Sequence, residues 1–236
     1  MTIDCYTSAG ILDHNDDSFM AVECIGGSAC LHLGLNGKMT SDEMQFDCDD
    51  FVLCAVSDGV GSSIRGGEAS VIAVSELLYE VEHIVGSVNP KDMIIETVSS
   101  ISNTIMKNLD STGKATLVGY LQTGGIGYLF NTGDSIAEAS CGRWRYRSSE
   151  HNVLNTIGCS DDGRDARKLT EYMGKSNPRV DVDISMACDN VVLYSDGASL
   201  LSPLLDSDGS CMELVRKAVD AGSDDNVTIV RFVNSV

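Results

Sequence analysis

Two apolar runs in this chain end in the same tripeptide, and that repeat limits what the chain can fold into. Residues 51–56 lead into Ser57-Asp58-Gly59, and residues 191–194 lead into Ser195-Asp196-Gly197. Each run is typical of a β-strand buried on both faces. An aspartate where such a strand leaves the core keeps its charge only with a partner. If the two strand ends meet, carboxylates from distant sequence converge on one point, as metal ligands do. The alternative is a simple turn, because Asp-Gly is a common turn sequence.

Bulk properties restrict the class of protein. The 236 residues, 43% hydrophobic and 22% charged, predict one globular domain spanning 1–236. A formal net charge of −19 argues against nucleic acid and anionic membranes as partners. The sequence has no apolar window of about 18 residues and no signal-peptide pattern at its start, so we expect a cytoplasmic protein. The nine cysteines form no C-x-x-C pair and are interpreted as reduced thiols.

Hydrophobic periodicity predicts blocks of strands and helices. Strands are expected at 18–24, 29–33, 51–56, 180–184, 191–195 and 226–233, with a β meander over 115–121, 125–131, 135–140 and 143–147. Helices are expected from 67 to 81, from 90 to 109, over 165–173 and over 212–221. The polar, acidic stretch 34–50 is predicted to be a loop or insertion. This order favours an α+β fold with helices packed outside a sheet core.

Acidic motifs occur at five places along the chain. They are Asn15-Asp16-Asp17-Ser18-Phe19, Ser57-Asp58-Gly59, Gly133-Asp134-Ser135, Ser195-Asp196-Gly197 and Gly222-Ser223-Asp224-Asp225-Asn226. Other segments accompany them: Val60-Gly61, Gly67-Glu68-Ala69-Ser70, Ala115-Thr116-Leu117-Val118, Ser149-Glu150-His151-Asn152 and Val227-Thr228-Ile229-Val230. In this order and spacing, the set resembles the metal-dependent protein Ser/Thr phosphatases, the protein phosphatase 2C family. The length is similar to that of a minimal bacterial-type catalytic domain.

The resemblance implies a fold and an activity. The fold would be a four-layer α-β-β-α sandwich, in which two packed antiparallel sheets are flanked by helix pairs. The activity would be hydrolysis of phosphoserine and phosphothreonine in phosphorylated proteins, the products of a Ser/Thr kinase. The cofactors would be two Mn²⁺ or Mg²⁺ ions, with a possible third.

The resemblance also implies a set of metal ligands, namely Asp16, Asp17, Asp58, Gly59, Asp134, Asp196 and Asp225. Asp58 would bridge the two ions, and Asp196 and Asp225 would hold the first. The second would be held with help from the Gly59 carbonyl and the segment 15–17. Asp134, together with Asp196, matches positions linked to the third ion. Hard divalent cations take oxygen ligands of this kind.

No side chain is predicted as a nucleophile or a proton donor. Two metal ions can activate water and neutralise phosphoryl oxygens in an in-line attack, and positioning and charge stabilisation supply most of the catalysis of phosphoryl transfer. Val60 follows the bridging Asp-Gly, where a histidine could otherwise act as an acid, so a metal-bound water is the predicted donor. His151 is predicted to be structural.

The sequence departs from the family pattern at the phosphate-binding arginine. Four residues before Asp16, where the family places this arginine, the chain has Leu12, and Asp16 itself replaces a more usual glutamate. Arg65, in the loop after the first Ser-Asp-Gly, is the predicted substitute for binding substrate, on loop proximity alone. The loop 159–165, with Asp161, Asp162 and Arg164, is expected to tune substrate choice.

Two alternatives to a phosphoprotein phosphatase stay open. The missing arginine is also typical of a pseudophosphatase or regulatory binding module of the same fold. A metallohydrolase acting on small phosphorylated metabolites would need the same carboxylates. The full set of metal ligands favours an active enzyme over the first alternative.

Overall fold

Two antiparallel sheets pack face to face in the computed structural model, which describes residues 1–157 and 168–234. The strands are β1 Thr2–Ser8, β2 Ser18–Ile25, β3 Ser28–Leu35, β4 Lys38–Gln45, β5 Phe51–Ser57, β6 Leu117–Thr123, β7 Ile126–Thr132, β8 Ile136–Cys141, β9 Trp144–Arg147, β10 Asp181–Met186, β11 Asn190–Tyr194 and β12 Val227–Val233. One sheet has the order β1-β12-β11-β8-β9, and the other has the order β10-β7-β6-β5-β2-β3-β4.

Helices cover the outer faces of both sheets. They are α1 Gly66–Tyr79, α2 Val81–Val85, α3 Pro90–Asn108, α4 Val153–Ile157 and α5 Cys211–Asp220, and a 3-10 turn runs from Asp196 to Leu201. Helices α1 to α3 share a core with the seven-stranded sheet, and α5 and the 3-10 turn share another with the five-stranded sheet. Proline at the first position of α3 and a capping box at Ser210 and Glu213 of α5 start these helices.

Strand β5 shows why the sandwich forms. All seven of its residues are buried. Leu53 and Ala55 face the helices, whereas Val52, Cys54 and Val56 face the other sheet. Side chains alternate between the faces of a strand, so a continuous apolar run fills two cores at once. The predicted four-layer α+β sandwich is confirmed.

Three predictions about individual elements were wrong, and one strand was missed. The stretch 34–50 is not a loop, because β4 pairs with β3 along its whole length. Strand β1 was not predicted. The meander breaks after β7, because β8 belongs to the other sheet. The described part of the expected helix 165–173 is irregular, with single bridges at Leu169 and Met173. The loop 159–165 lies outside the described residues.

The strand register brings the acidic motifs to one end of the sandwich. Ser18 at the start of β2 pairs with Ser57 at the end of β5. Tyr194 at the end of β11 pairs with Ile136 at the start of β8 and with Ile229 near the start of β12. The segments before or after these residues carry the predicted ligands. Within the described residues, no helix is long and apolar enough to cross a membrane.

Candidate functional site

A cavity of about 450 Å³ lies at this end of the sandwich. Four acidic side chains from four different segments line it: Asp58, Asp134, Asp196 and Asp225. The remaining lining residues are Val60, Gly61, Ser62, Lys114, Thr116, Lys168, Leu169 and Tyr172. The ends of the two Ser-Asp-Gly strands therefore meet, as the repeat predicted, and two further carboxylates join them.

The glycines of the repeated tripeptide permit close backbone contact. Neither Gly59 nor Gly197 adopts a positive φ angle, so neither is needed for a left-handed turn. A Cβ atom on Gly59 would lie 2.6 Å from the Gly66 carbonyl carbon and 2.7 Å from the Asp16 carbonyl oxygen. A Cβ atom on Gly197 would overlap the Asn226 carbonyl oxygen. Both glycines thus serve close packing, and Gly197 does so within the 3-10 turn from Asp196 to Leu201.

Thr116 connects the segments that carry Asp58 and Asp134. Its hydroxyl accepts a hydrogen bond from the Asp58 amide at 3.0 Å, and its own amide donates to the Asp58 carbonyl at 2.8 Å. The same hydroxyl lies 2.6 Å from the Ser135 hydroxyl, and either of the two can donate the hydrogen bond between them. Asp134 is the neighbour of Ser135, so one threonine holds both acidic segments.

Asp17 occupies a buried position behind the cavity. One of its carboxylate oxygens accepts hydrogen bonds from the hydroxyls of Ser195 at 2.8 Å and Thr228 at 2.7 Å. The other oxygen, Oδ1, is buried and has no hydrogen-bond partner among the described residues. A buried carboxylate oxygen without a donor is costly unless a cation binds it. Because Ser195 precedes Asp196, its hydrogen bond connects Asp17 to the second Ser-Asp-Gly.

Asp16 points elsewhere. Its carboxylate lies 3.3 Å from the His14 ring, and the residue is not among those that line the cavity. Its amide donates to the Asn226 side chain at 2.7 Å, and the Asn226 amide group donates to the His14 carbonyl at 2.9 Å. Asn226 therefore holds the segment 14–16 against the loop that carries Asp225. The ligand role predicted for Asp16 stays a prediction.

Burial and mutual repulsion disfavour the charged forms of the clustered carboxylates. Burial raises the pKa of Asp17 to about 7, with smaller contributions from the charges of Asp196 and Asp225. Burial, followed by the charge of Asp196, raises the pKa of Asp134 to about 8. Burial and the charges of Asp17 and Asp196 raise the pKa of Asp58 well above its ordinary value. A bound cation reverses this effect by favouring the ionised form.

The predicted phosphate-binding residue, Arg65, does not line the cavity. Its guanidinium forms a two-point ion pair with Glu68, with Nε 2.7 Å from the carboxylate, and a longer contact to the Asn108 carbonyl. Leu12, at the position where the family has arginine, is partly exposed at 39%. The role predicted for Arg65 therefore has no supporting contact. Lys114 and Lys168 are the cations in the cavity wall.

The histidines also lie away from the cavity lining in the described residues. His151 is buried, and its Nδ1 accepts a hydrogen bond from the Gly133 amide at 3.2 Å. The other ring nitrogen, Nε2, must then carry the proton and donates to Asp181 at 3.0 Å. This geometry agrees with the structural role predicted for His151.

The residues present fit a hard divalent cation by donor chemistry. The converging groups are carboxylates, and beside them the Oδ1 of Asp17 has no hydrogen-bond partner among the described residues. Nowhere in residues 1–157 and 168–234 do three or more His, Cys, Asp or Glu side chains already stand in an arrangement that could hold a metal ion. The fit therefore rests on the type and convergence of the donors.

Sequence reasoning missed three features of this site. Lys114 and Tyr172 carried no signal, because neither belongs to an acidic motif. Thr116 and Asn226 stood inside quoted motifs, but only the strand register shows which residues they hold. Gly59 was predicted for its carbonyl oxygen, whereas its lack of a side chain is what the packing demands.

Comparison with known proteins agrees with this geometry. Residues 35–228 match the family model described as Protein phosphatase 2C. No curated protein matches the sequence. Similar solved structures include serine/threonine phosphatase Stp1 from Staphylococcus aureus, with 18% identity, a TM-score of 0.72 and coverage of 100% of this chain and 96% of that chain. The S. agalactiae serine/threonine phosphatase has 15% identity and a TM-score of 0.72, with 99% of each chain covered.

A third structure is the Ser-Thr phosphatase MsPP from Mycobacterium smegmatis, solved in complex with cacodylate. It has 22% identity and a TM-score of 0.66, and the match covers 100% of this chain and 99% of that one. At such identities these likenesses show the fold alone, whereas the family model rests on the sequence itself. Because that model spans most of the chain, the protein belongs to the protein phosphatase 2C family.

Proposed function

We propose that this protein is a phosphoprotein phosphatase that depends on Mn²⁺ or Mg²⁺ and hydrolyses phosphoserine and phosphothreonine. The observation that carries the proposal is the convergence of Asp58, Asp134, Asp196 and Asp225 on one cavity. They come from four separate segments, and a shared cationic ligand would stabilise their ionised forms together. Membership of the family supports the reaction class.

The proposed ligand roles are those that the resemblance to the family implies. Asp58, which is buried and faces the charges of the other acids, would bridge two ions. Asp196 and Asp225 would hold the first ion, and Asp17 and the Gly59 carbonyl would help hold the second. Asp134 would hold a third. When bound, the ions would supply an activated water and neutralise charge on the phosphoryl oxygens.

The chain's own contribution is to hold these oxygen donors in place. Thr116 fixes the backbone of Asp58 through two hydrogen bonds. Ser195 and Thr228 fix one oxygen of Asp17, whereas the other is buried and has no hydrogen-bond donor among the described residues. Positioning of this kind is the main source of catalysis in phosphoryl transfer. Because no histidine is among the described lining residues, we assign no side chain as the proton donor.

The substrate class is proposed from the similar structures. Those from Staphylococcus aureus and S. agalactiae are described as serine/threonine phosphatases. We therefore expect proteins phosphorylated by a Ser/Thr kinase to be the substrates, in preference to small phosphorylated metabolites.

The test is a metal-dependent phosphatase assay on the chelator-stripped protein. A phosphothreonine peptide, a phosphotyrosine peptide, a sugar phosphate and a nucleotide are compared with and without added Mn²⁺. We expect Mn²⁺-dependent release of phosphate from the phosphothreonine peptide, abolished again by excess chelator.

Two other outcomes would replace the proposal. Preferential turnover of the sugar phosphate or nucleotide would identify a small-molecule metallohydrolase. No turnover of any substrate at saturating Mn²⁺ would identify a pseudophosphatase, the alternative that the absence of arginine at Leu12 motivates.

A further inference from the structure

The acidic cavity lacks an obvious means of attracting a phosphate ester. Four carboxylates line it, and a phosphate monoester is a dianion near neutral pH. Two divalent cations (+4) do not balance the five carboxylates proposed as ligands (−5), and three (+6) leave a single positive charge against a dianionic substrate. Recognition of the phosphoryl group therefore calls for a basic side chain in the wall. Arg65 does not provide it, because its guanidinium is paired with Glu68.

Lys114 is held beside the most buried of the lining acids. Its carbonyl accepts a hydrogen bond from the Val60 amide at 3.0 Å, two residues after Asp58. The next residue, Ala115, forms bridges with Gly59 and with Met173. These contacts fix the backbone at Lys114 and Ala115, so the position of the Lys114 Cα atom at the cavity is fixed.

The ammonium group of Lys114 lies over an aromatic ring and, among the described residues, forms no ion pair with a carboxylate. Its Nζ lies 4.9 Å from the centroid of the Tyr172 ring, within the range of a cation–π contact. Tyr172 lines the same cavity. Within the part of the chain that the structure describes, Lys114 forms no ion pair, although carboxylates line the same cavity.

Several other basic side chains of the described residues are already paired with carboxylates. Arg65, Arg147, Lys175 and Arg179 each form an ion pair with a glutamate or an aspartate. A cation already paired with a carboxylate loses that interaction when it binds an anion, whereas among the described residues Lys114 has a contact with an aromatic ring to lose and no ion pair. Lys114 is therefore better prepared to bind an anion than Arg65, which is paired with Glu68.

We propose that Lys114 binds the phosphoryl group of the substrate and is a substrate-binding residue of this site. The proposal rests on the phosphatase function proposed above and adds to it the group that recognises the phosphate. An ammonium group is a point charge and does not form the two-point contact of a guanidinium, so binding of phosphate by this chain should tolerate some displacement of the ester.

The experiment compares Lys114→Met and Lys114→Arg with the wild-type chain. Methionine keeps most of the length of the side chain and its contact with Tyr172 but removes the charge. The matched control is Lys107→Met, a change of the same kind on the exposed end of α3. For each protein, KM and kcat for a phosphothreonine peptide and the inhibition constant of inorganic phosphate are measured at saturating Mn²⁺. The melting-temperature shift on adding Mn²⁺ is measured in parallel.

We expect Lys114→Met to raise both KM and the inhibition constant of phosphate about tenfold or more, the scale of one charge-assisted hydrogen bond. Lys114→Arg should restore phosphate binding to within a few-fold. The Mn²⁺-induced shift should be unchanged in both, because Lys114 is not a metal ligand. A lysine that only supported the fold would change the melting temperature and leave the inhibition constant as it was.

Several results would overturn the proposal. One is a folded Lys114→Met protein with the phosphate inhibition constant of the wild type. Another is a loss confined to Lys168→Met or to Arg65→Ala, which would assign phosphate binding to that residue. If the wild-type chain shows no turnover, the proposed function fails, but calorimetric titration of the Mn²⁺-loaded proteins with inorganic phosphate still tests Lys114. If Lys114→Met does not fold, Lys114→Gln takes its place.

Discussion

Gly59 and Gly197 follow two of the aspartates that line the cavity, and both touch the backbone of another segment. Gly197 lies against Asn226, and Gly59 lies against Gly66 and Asp16. At the residue scale, these contacts set how closely the loops approach and therefore where Asp58 and Asp196 stand. The carboxylates would supply the chemistry, and the glycines determine the distances between the segments that carry them.

Gly197→Ala should destabilise the protein and weaken metal binding together. The new methyl group would overlap the Asn226 carbonyl oxygen, and overpacking of this kind typically costs about 1–3 kcal/mol. The measurement is the free energy of unfolding in urea. The matched control is Gly61→Ala, because a Cβ there meets no atom within 4 Å and Gly61 has no positive φ. Equal stability of the two variants would contradict the packing role.

Much of the site was predictable from individual residues, although the glycines of the tripeptide serve a purpose other than the predicted one. The repeated tripeptide marked Asp58 and Asp196, and both line one cavity. Their glycines were weighed as turn residues, whereas they serve close packing. The substrate-binding role proposed for Lys114 was not predictable. It depends on the contact of Lys114 with the Tyr172 ring and on the ion pair that Arg65 forms with Glu68. Such relations exist only in three dimensions.

The turn between β7 and β8 matters most at the scale of elements, because there the chain leaves one sheet and enters the other. It carries Asp134, and His151 holds it on both sides. The His151 ring accepts from the Gly133 amide, and the His151 amide donates to the Gly133 carbonyl at 2.8 Å. The structural role predicted for His151 is thus to hold the turn through which the chain passes from one sheet to the other.

His151→Ala should lower the free energy of unfolding by about 1–3 kcal/mol, the cost of leaving a buried donor unsatisfied. It should also weaken binding of the metal ion that Asp134 is proposed to hold. His83→Ala, on the exposed side of α2, is the control. Urea unfolding and metal titration of both variants provide the check. An unchanged unfolding free energy in His151→Ala would contradict the role.

Periodicity predicted most of these elements and failed where a strand has no buried face. Nearly all of β4 is exposed, so no apolar alternation marks it. A signal was nevertheless present at Asn36-Gly37, where both residues have positive φ, as in a tight hairpin turn. The passage from β7 to the other sheet was not predictable from periodicity, because alternation describes a strand's faces and does not identify its neighbours.

For the molecule as a whole, the clustered acids make the metal-free protein sensitive to pH. In the folded state the pKa values of Asp17 and Asp134 are about 7 and about 8, above the value near 4 of an exposed aspartate. Between these values the unfolded chain has released protons that the folded chain retains. The folded state is then the better proton acceptor, so its stability falls as pH rises through this window.

We therefore expect the melting temperature of the chelator-stripped protein to fall from pH 5 to pH 8. Added Mn²⁺ should raise it more at pH 8 than at pH 5, because the ion favours the ionised carboxylates. Asp17→Asn should flatten the pH dependence of the metal-free protein and reduce the Mn²⁺-induced shift. A metal-free protein that becomes more stable across this range would contradict the burial of uncompensated carboxylates.

The central claim is that these carboxylates bind the ions that make the chain a phosphatase. Its most direct test is the initial rate of phosphate release from a phosphothreonine peptide, measured during Mn²⁺ titration of the stripped wild-type chain and of Asp58→Asn. The matched control is Asp183→Asn, on the exposed strand β10. We predict a rate that saturates with Mn²⁺ in the wild-type chain and in the control, and a loss of at least 100-fold in Asp58→Asn, about the effect of removing one essential electrostatic group. Wild-type activity in Asp58→Asn, or activity independent of Mn²⁺, would contradict the claim.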